Sequence, residues 1–325
     1  MKLATIDNGS RDGQLVVVST DLARMTPATA VAPTLQAALE NWDGAAPQLR
    51  DLAGTLAGGG GQPFDPAKAL APLPRAYQWL DGSVFRNHLR LMATAFKRDL
   101  EKEANYPKPL MYQGGSDSFL GARQDVVLPR EEDGIDFEAE IGIIVSDVPM
   151  GTKASDAGRY IRLVVLINDV SLRRLAPIEM DTGFGWLQAK PSSAFSLTAV
   201  TPDELGAAWK DGRLERPIRV AWNGKPFGAP SGREMTFNFH QLIEQAAYSR
   251  TLSAGTVIGS GTVSNEAYKE VGSACIAERR AIELIEQGEP KTAFMRFGDR
   301  VQIDMTDDAG HSIFGGIDQC VRPSR

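Results

Sequence analysis

Cysteine is almost missing from this chain: only Cys275 and Cys320 occur, with no C-x-x-C pair. That excludes a disulfide framework and a thiolate zinc site. Histidine is nearly as scarce, with three residues. No apolar run approaches the roughly 18 residues of a membrane span. A lysine/arginine block is missing too. Against 41 acidic residues stand 35 basic ones, a net charge of −6, which argues against nucleic acid or an anionic membrane surface as partner. An anionic substrate must therefore be met by locally placed cations. The five tryptophans are scattered and form no cage or stripe. The opening Met1-Lys2-Leu3-Ala4-Thr5-Ile6-Asp7-Asn8-Gly9 reaches a polar turn too soon for a signal-peptide core, so the expected location is the cytoplasm.

What remains is an ordinary globular composition, long enough at 325 residues for one large domain and a smaller one. Two strand-like runs, 3–6 and 15–19, flank a polar turn and predict a hairpin. Helical patterns follow over 34–42 and 47–56. Four glycines, Gly58 to Gly61, with Pro63, Pro66, Pro72 and Pro74 close behind, read as a linker. The boundary is placed near residue 72, giving a small N-terminal α+β unit (1–72) and a large unit (73–325).

The large unit shows short strands between Gly, Pro and Asp turns: 125–128, 135–145, 161–168, 218–222, 256–259, 300–305 and 311–316. Helices are expected over 85–102, 238–249 and 274–287. This is an α+β pattern, mainly β, with a mixed sheet that is rolled or sandwiched. Alternating βαβ units are lacking, so Gly259-Ser260-Gly261-Thr262 is not a dinucleotide fingerprint.

The polar residues inside this apolar framework carry the chemistry. Ile135-Asp136-Phe137-Glu138-Ala139-Glu140-Ile141 reads as a buried strand, yet Glu138 and Glu140 share one face, about 6.6 Å apart. Two anions among Ile and Val repel and are costly to desolvate. A hard divalent cation with oxygen ligands resolves the conflict; an edge strand with its polar face in water is the plain alternative. Asp169 ends the apolar run 161–168. Asp81 opens Asp81-Gly82-Ser83, a turn or helix-start signal, and His88 follows seven residues later, two helical turns on. Taken singly, Asp81 reads as an N-cap and His88 as a structural histidine. Four carboxylates without His or Cys favour Mg²⁺, Ca²⁺ or Mn²⁺ over zinc. His240 and His311 read as structural.

The order Asp81-x6-His88, Phe137-Glu138-Ala139-Glu140, Asn168-Asp169-Val170-Ser171-Leu172-Arg173, Lys190-Pro191 and Gly259-Ser260-Gly261-Thr262 resembles the fumarylacetoacetate hydrolase family over about residues 73 to 320. The resemblance implies a β-rich rolled core, a divalent cation (usually Mg²⁺ or Ca²⁺) and a homodimer. It makes Asp81, Glu138, Glu140 and Asp169 the metal ligands and His88 the base that activates water. Glu278 becomes the partner of His88, at a spacing from Thr262 slightly longer than the family pattern. Arg173 and Lys190 fall at the cations that stabilise negative charge; Tyr112 and Thr262, with Lys190, fall at substrate contacts. Two positions depart: Ala176 stands where a glutamine is expected and Ser83 where a tyrosine is expected, both bearing on substrate identity more than on metal binding.

The expected activity is hydrolysis of a C–C bond in a diketo acid, with 4-fumarylacetoacetate giving fumarate and acetoacetate in tyrosine and homogentisate breakdown. The alternatives are an acylpyruvate or fumarylpyruvate hydrolase, a 2-oxo acid decarboxylase or hydratase of the same fold, and a non-catalytic protein with a structural Ca²⁺. For Arg173 the plain alternative is a salt bridge to a nearby carboxylate, and for Lys190 a solvated loop charge.

Overall fold

The computed structural model describes residues 1–99 and 104–324. Strands Lys2–Ile6, Gln14–Val18 and Arg24–Pro27 form an antiparallel meander. Leu35–Glu40 and Trp42–Ala57 are helical, the first capped by the Thr34 side chain and the second ended at Gly58. The expected hairpin, both helices and the stop at the glycine run are all present. Strand Lys2–Ile6 also pairs with Ala199–Val200, so the N-terminal meander continues a large mixed sheet. At the centre of that sheet lie Ile161–Asn168, Ala139–Val145, Val257–Gly259 and Trp79–Ser83. A second sheet includes Arg219–Trp222, Arg300–Asp304 and Ile317–Pro323.

Alternation sorts the central strands between two apolar clusters. Leu80, Ala139, Ile141, Ile143, Val164, Leu166 and Ile258 face one cluster, toward the second sheet's Val301, Ile303 and Ile317. Trp79, Ile144, Leu163, Val165, Ile167 and Val257 face the other, with Leu3, Leu15, Val17, Leu35, Leu39 and Leu49 from the first 57 residues. The N-terminal layer thus covers one face of the sheet that the large unit builds.

Four local expectations are corrected. Asp81 is in a strand, Trp79–Ser83, and the helix bearing His88 begins at Arg86, so the two do not share a helix. Parallel pairing with Val257–Gly259 and antiparallel pairing with Leu110–Gly114 hold the strand, and neither leaves a local sequence signal. The run 135–145 is two strands, Ile135–Asp136 and Ala139–Val145, because Glu138 bridges to Cys275 instead. No strand forms over 311–316. Gly315 turns the chain at φ +64, and pairing resumes in Ile317–Pro323. The helix expected over 85–102 is Arg86–Ala95; its expected end, from 100 on, lies outside the described residues.

Candidate metal centre and active site

The sheet register aims three carboxylates at one place. Asp81 lies on the same face as Trp79, and Asp169 follows Ile167 on that face just past its strand. Glu140 pairs with Ile167 from the antiparallel neighbour, which runs the other way, so it too sits at this end. Gly259 pairs with Asp81, and Gly142 pairs with Gly259 one strand further along the same row. A Cβ on Gly259 would stand 2.4 Å from Asp81 Oδ1, so the missing side chain makes room for the carboxylate. Oxygens of Asp81, Glu140 and Asp169 lie within 4.8 Å of one another, and all three residues are buried.

These residues fit a hard divalent cation. Neither carboxylate oxygen of Glu140 has a hydrogen-bond partner. Burial, then the charges of Asp81 and Asp169, pushes the Glu140 carboxyl well above its usual range. Burial and then Asp169 do the same to Asp81, whose Oδ1 accepts from the Gly261 backbone at 3.0 Å. Without a cation, a proton shared between Asp81 and Glu140 is the way this pair relieves its repulsion. An all-oxygen donor set suits Mg²⁺, Ca²⁺ or Mn²⁺.

Glu138 is held differently. Its carboxylate accepts from Arg173 Nη2 at 2.5 Å, Lys190 Nζ at 2.5 Å, Thr262 Oγ1 at 2.9 Å and Ser171 Oγ at 3.2 Å. Burial raises this carboxyl, but Arg173 and Lys190 outweigh burial and hold it below the usual range. Lys190 also donates to Asp169 Oδ2 at 2.5 Å, joining Glu138 to the trio. Burial acts to lower the ammonium, yet Asp169 and Glu138 keep it charged. Three of the four expected ligands therefore converge directly, and the fourth is linked through Lys190.

Arg173 makes the salt bridges named as its alternative: Nε donates to Asp136 Oδ2 at 2.8 Å while Nη2 holds Glu138. Asp136 also accepts from the backbone of Ile276 and Ala277 at 2.7 and 2.9 Å, at the start of helix Ile276–Gln287. That helix carries Glu278, whose Oε2 lies 2.8 Å from His88 Nδ1. With Nδ1–H donated to the carboxylate, the lone pair falls on Nε2. Ligand atoms of His88, Glu138 and Cys275 lie within 4.8 Å of one another, so the dyad adjoins Glu138, which Lys190 joins to the trio. Tyr112 donates to Asp169 Oδ2 at 2.5 Å, and Ser193 to Asp169 Oδ1 at 2.7 Å.

Sequence reasoning passed over Asp136, Ser193 and Trp186. The first two had no signal beyond a polar residue near a strand. Trp186, dismissed with the scattered tryptophans, lies against Tyr112 with ring centroids 4.8 Å apart and faces Lys190.

Comparison with known proteins identifies the family. The family model described as fumarylacetoacetate (FAA) hydrolase C-terminal matches residues 78–322, and that of fumarylacetoacetase N-terminal domain 2 matches residues 1–75. A 2,4-didehydro-3-deoxy-L-rhamnonate hydrolase of Sphingomonas sp. is 29% identical over 166 residues, 49% of this chain and 55% of that protein. A mitochondrial oxaloacetate tautomerase of Rattus norvegicus is 26% identical over 166 residues, 50% of each. The chain spans about half to two thirds of the length of the curated relatives it matches. In fold, maleylpyruvate hydrolase from Sphingobium sp. SYK-6, solved with manganese(II) and pyruvate, aligns over 100% of both chains at a TM-score of 0.68 and 15% identity. Fumarylacetoacetate hydrolase from Exiguobacterium antarcticum aligns as completely at 0.64 and 15%. With two family models covering nearly all of it and a carboxylate centre beside a His–Glu dyad, this chain belongs to the fumarylacetoacetate hydrolase family.

Proposed function

We propose that the protein is a divalent-cation-dependent hydrolase that cleaves a C–C bond in a diketo acid, with 4-fumarylacetoacetate the favoured substrate. The carrying observation is the His88–Glu278 pair at 2.8 Å beside the buried carboxylates. Asp81, Glu140 and Asp169, with Glu138 beside them, would hold Mg²⁺ or Ca²⁺. A divalent cation held there would supply Lewis-acid polarisation of the substrate's oxo group. His88 Nε2 takes a proton from water, and Glu278 stabilises the imidazolium that results. The hydroxide so made attacks the carbonyl carbon. Lys190 meets the negative charge that develops on the oxygen, while Arg173 keeps Glu138 in place. The proton on His88 then passes to the departing carbon, and the C–C bond breaks to give two acids. Tyr112 and Thr262 line the substrate side. Residues 1–72 are read as a supporting unit on the catalytic unit 73–325, in a cytoplasmic homodimer.

A second reading uses the same dyad differently. Proton removal and return at carbon, without attack by water, makes a tautomerase or isomerase, and the relative from Rattus norvegicus carries a tautomerase name. Incubation with Mg²⁺ or EDTA and fumarylacetoacetate, fumarylpyruvate, acetylpyruvate or oxaloacetate separates the two. Metal-dependent release of fumarate and acetoacetate is expected. Enol–keto interconversion with no cleavage of any acid would replace hydrolysis by the second reading. His88→Ala is expected to keep cation binding by calorimetry while turnover falls about 10²–10⁴-fold; near-normal turnover in that variant would sink the mechanism.

A further inference from the structure

Between Arg173 and Lys190 the chain makes a helix, Ala176–Thr182, and returns through Gly183 and Gly185, both at positive φ. From 177 to 188 every residue is exposed except Glu179 and Trp186. Phe184 and Leu187, on either side of the tryptophan, are 97% and 82% exposed, so this segment is anchored by two residues and little else.

Glu179 anchors the backbone. Its carboxylate accepts N–H bonds from Leu187 at 2.9 Å, Gln188 at 2.8 Å and Ala189 at 3.1 Å. These bonds tie the helix to the returning chain and fix where residue 186 emerges. Trp186 anchors the side facing the site. Its ring is tilted 57° to that of Tyr112, and the Lys190 ammonium stands 5.1 Å from its centroid and 5.3 Å from that of Tyr112. Lys190 and Tyr112 both reach Asp169. Lys190 thus has carboxylates on one side and an aromatic pair on the other.

We propose that Trp186 is the wall that selects the arm of the substrate, and that Glu179 is a positioning residue that latches the wall in place. The inference rests on the reading above, in which the oxygens of an oxo acid bind at the carboxylate centre beside Lys190. Behind that centre is the buried sheet, so the remainder of the substrate leaves along the faces of Tyr112 and Trp186. A conjugated, planar arm offers the indole a flat π-surface for offset or tilted stacking. A methyl arm offers almost none. The chain therefore prefers oxo acids whose acyl arm is unsaturated and flat, and the fumaroyl arm of the proposed substrate is one such group.

The test compares wild type, Trp186→Ala, Trp186→Phe, Glu179→Ala and Glu179→Gln, all with Mg²⁺. Two oxo acids of identical head are used, one with a conjugated planar arm and one with a methyl arm. Trp186→Ala is expected to raise KM for the conjugated acid about tenfold, to leave kcat within about threefold, and to spare the methyl acid. Trp186→Phe recovers most of the loss. Glu179→Ala moves the same KM the same way by a smaller factor, Glu179→Gln by less, and neither adds to Trp186→Ala in a double variant. Equal effects on the two acids would overturn the wall, and an undiminished Glu179→Ala effect in the Trp186→Ala background would overturn the latch. Calorimetry of both acids against the Mg²⁺-loaded protein separates this inference from the hydrolase reading. If wild type cleaves neither acid yet binds the conjugated one more tightly, and Trp186→Ala abolishes that preference, the wall stands and hydrolysis fails. If wild type binds the two alike, or binds neither, the wall is overturned.

Discussion

Glu140 concentrates the chemistry of this protein in one side chain. It is buried, neither oxygen is hydrogen-bonded, and Asp81 and Asp169 stand beside it. Such a group destabilises the fold unless a cation or a proton compensates it. Glu140→Gln removes one anion and supplies an amide that can donate to its neighbours. In EDTA this variant is expected to melt about 2 °C or more above wild type, while the stabilisation that Mg²⁺ gives wild type should shrink or vanish. Thermal melts with and without Mg²⁺ check both halves. A variant that melts lower in EDTA and keeps the full Mg²⁺ shift would show that Glu140 has some other role.

At the scale of elements, helix Phe239–Ala246 shows how packing decides protonation. Asn238 and Gln241 form a capping box at its start. His240 lies in its first turn, where a Cβ on Gly158 or Gly212 would come within 2.8 Å of the imidazole. Burial lowers His240 from its ordinary value of 6.5; Asp211 acts upward and Arg213 downward, both less strongly. The folded protein therefore takes up this proton less readily than the unfolded chain. The stability linked to neutral His240 is complete above the unfolded value and is lost as pH falls through the lowered folded one. His240→Gln should flatten the decline of Tm between about pH 7 and pH 5, measured by melts across that range. An unchanged slope would assign the decline to other groups. Helix Ile276–Gln287 is positioned with equal economy. Asp136 receives its first backbone donors and the Arg173 guanidinium together, so one buried carboxylate ties Glu278 to the strand that leads to Glu138.

For the whole molecule, the decisive feature is that the first 57 residues and the central strands share one apolar cluster. Removing residues 1–72 would uncover Leu163, Val165, Ile167 and Val257 and leave Ala199–Val200 as an open edge. A chain of residues 73–325 is therefore expected to be aggregation-prone and to bind a hydrophobic dye. Light scattering and dye fluorescence check this. A soluble fragment with a cooperative melt and Mg²⁺ binding would show that the large unit is self-sufficient.

The sequence by itself marked the acids, the strand-like runs 135–145 and 161–168, and the helix that carries Glu278, while the pairing of His88 with Glu278 came only from the family resemblance. Each leaves a local mark: carboxylates inside apolar runs, a period of two, a period near 3.6. Only the tertiary structure decided that Asp81 belongs to a strand, because its support comes from Tyr112 and Gly259, 31 and 178 residues away in sequence, which no window of neighbours contains. The same holds for Glu138, whose four donors come from Ser171, Arg173, Lys190 and Thr262. Trp186 is the plainest case. Its segment has the exposure and composition of an ordinary loop, and nothing near it in sequence marks it as part of a site. The chain return closed by Glu179 sets it over Lys190 and Tyr112, and contacts of that kind exist only once the backbone has folded.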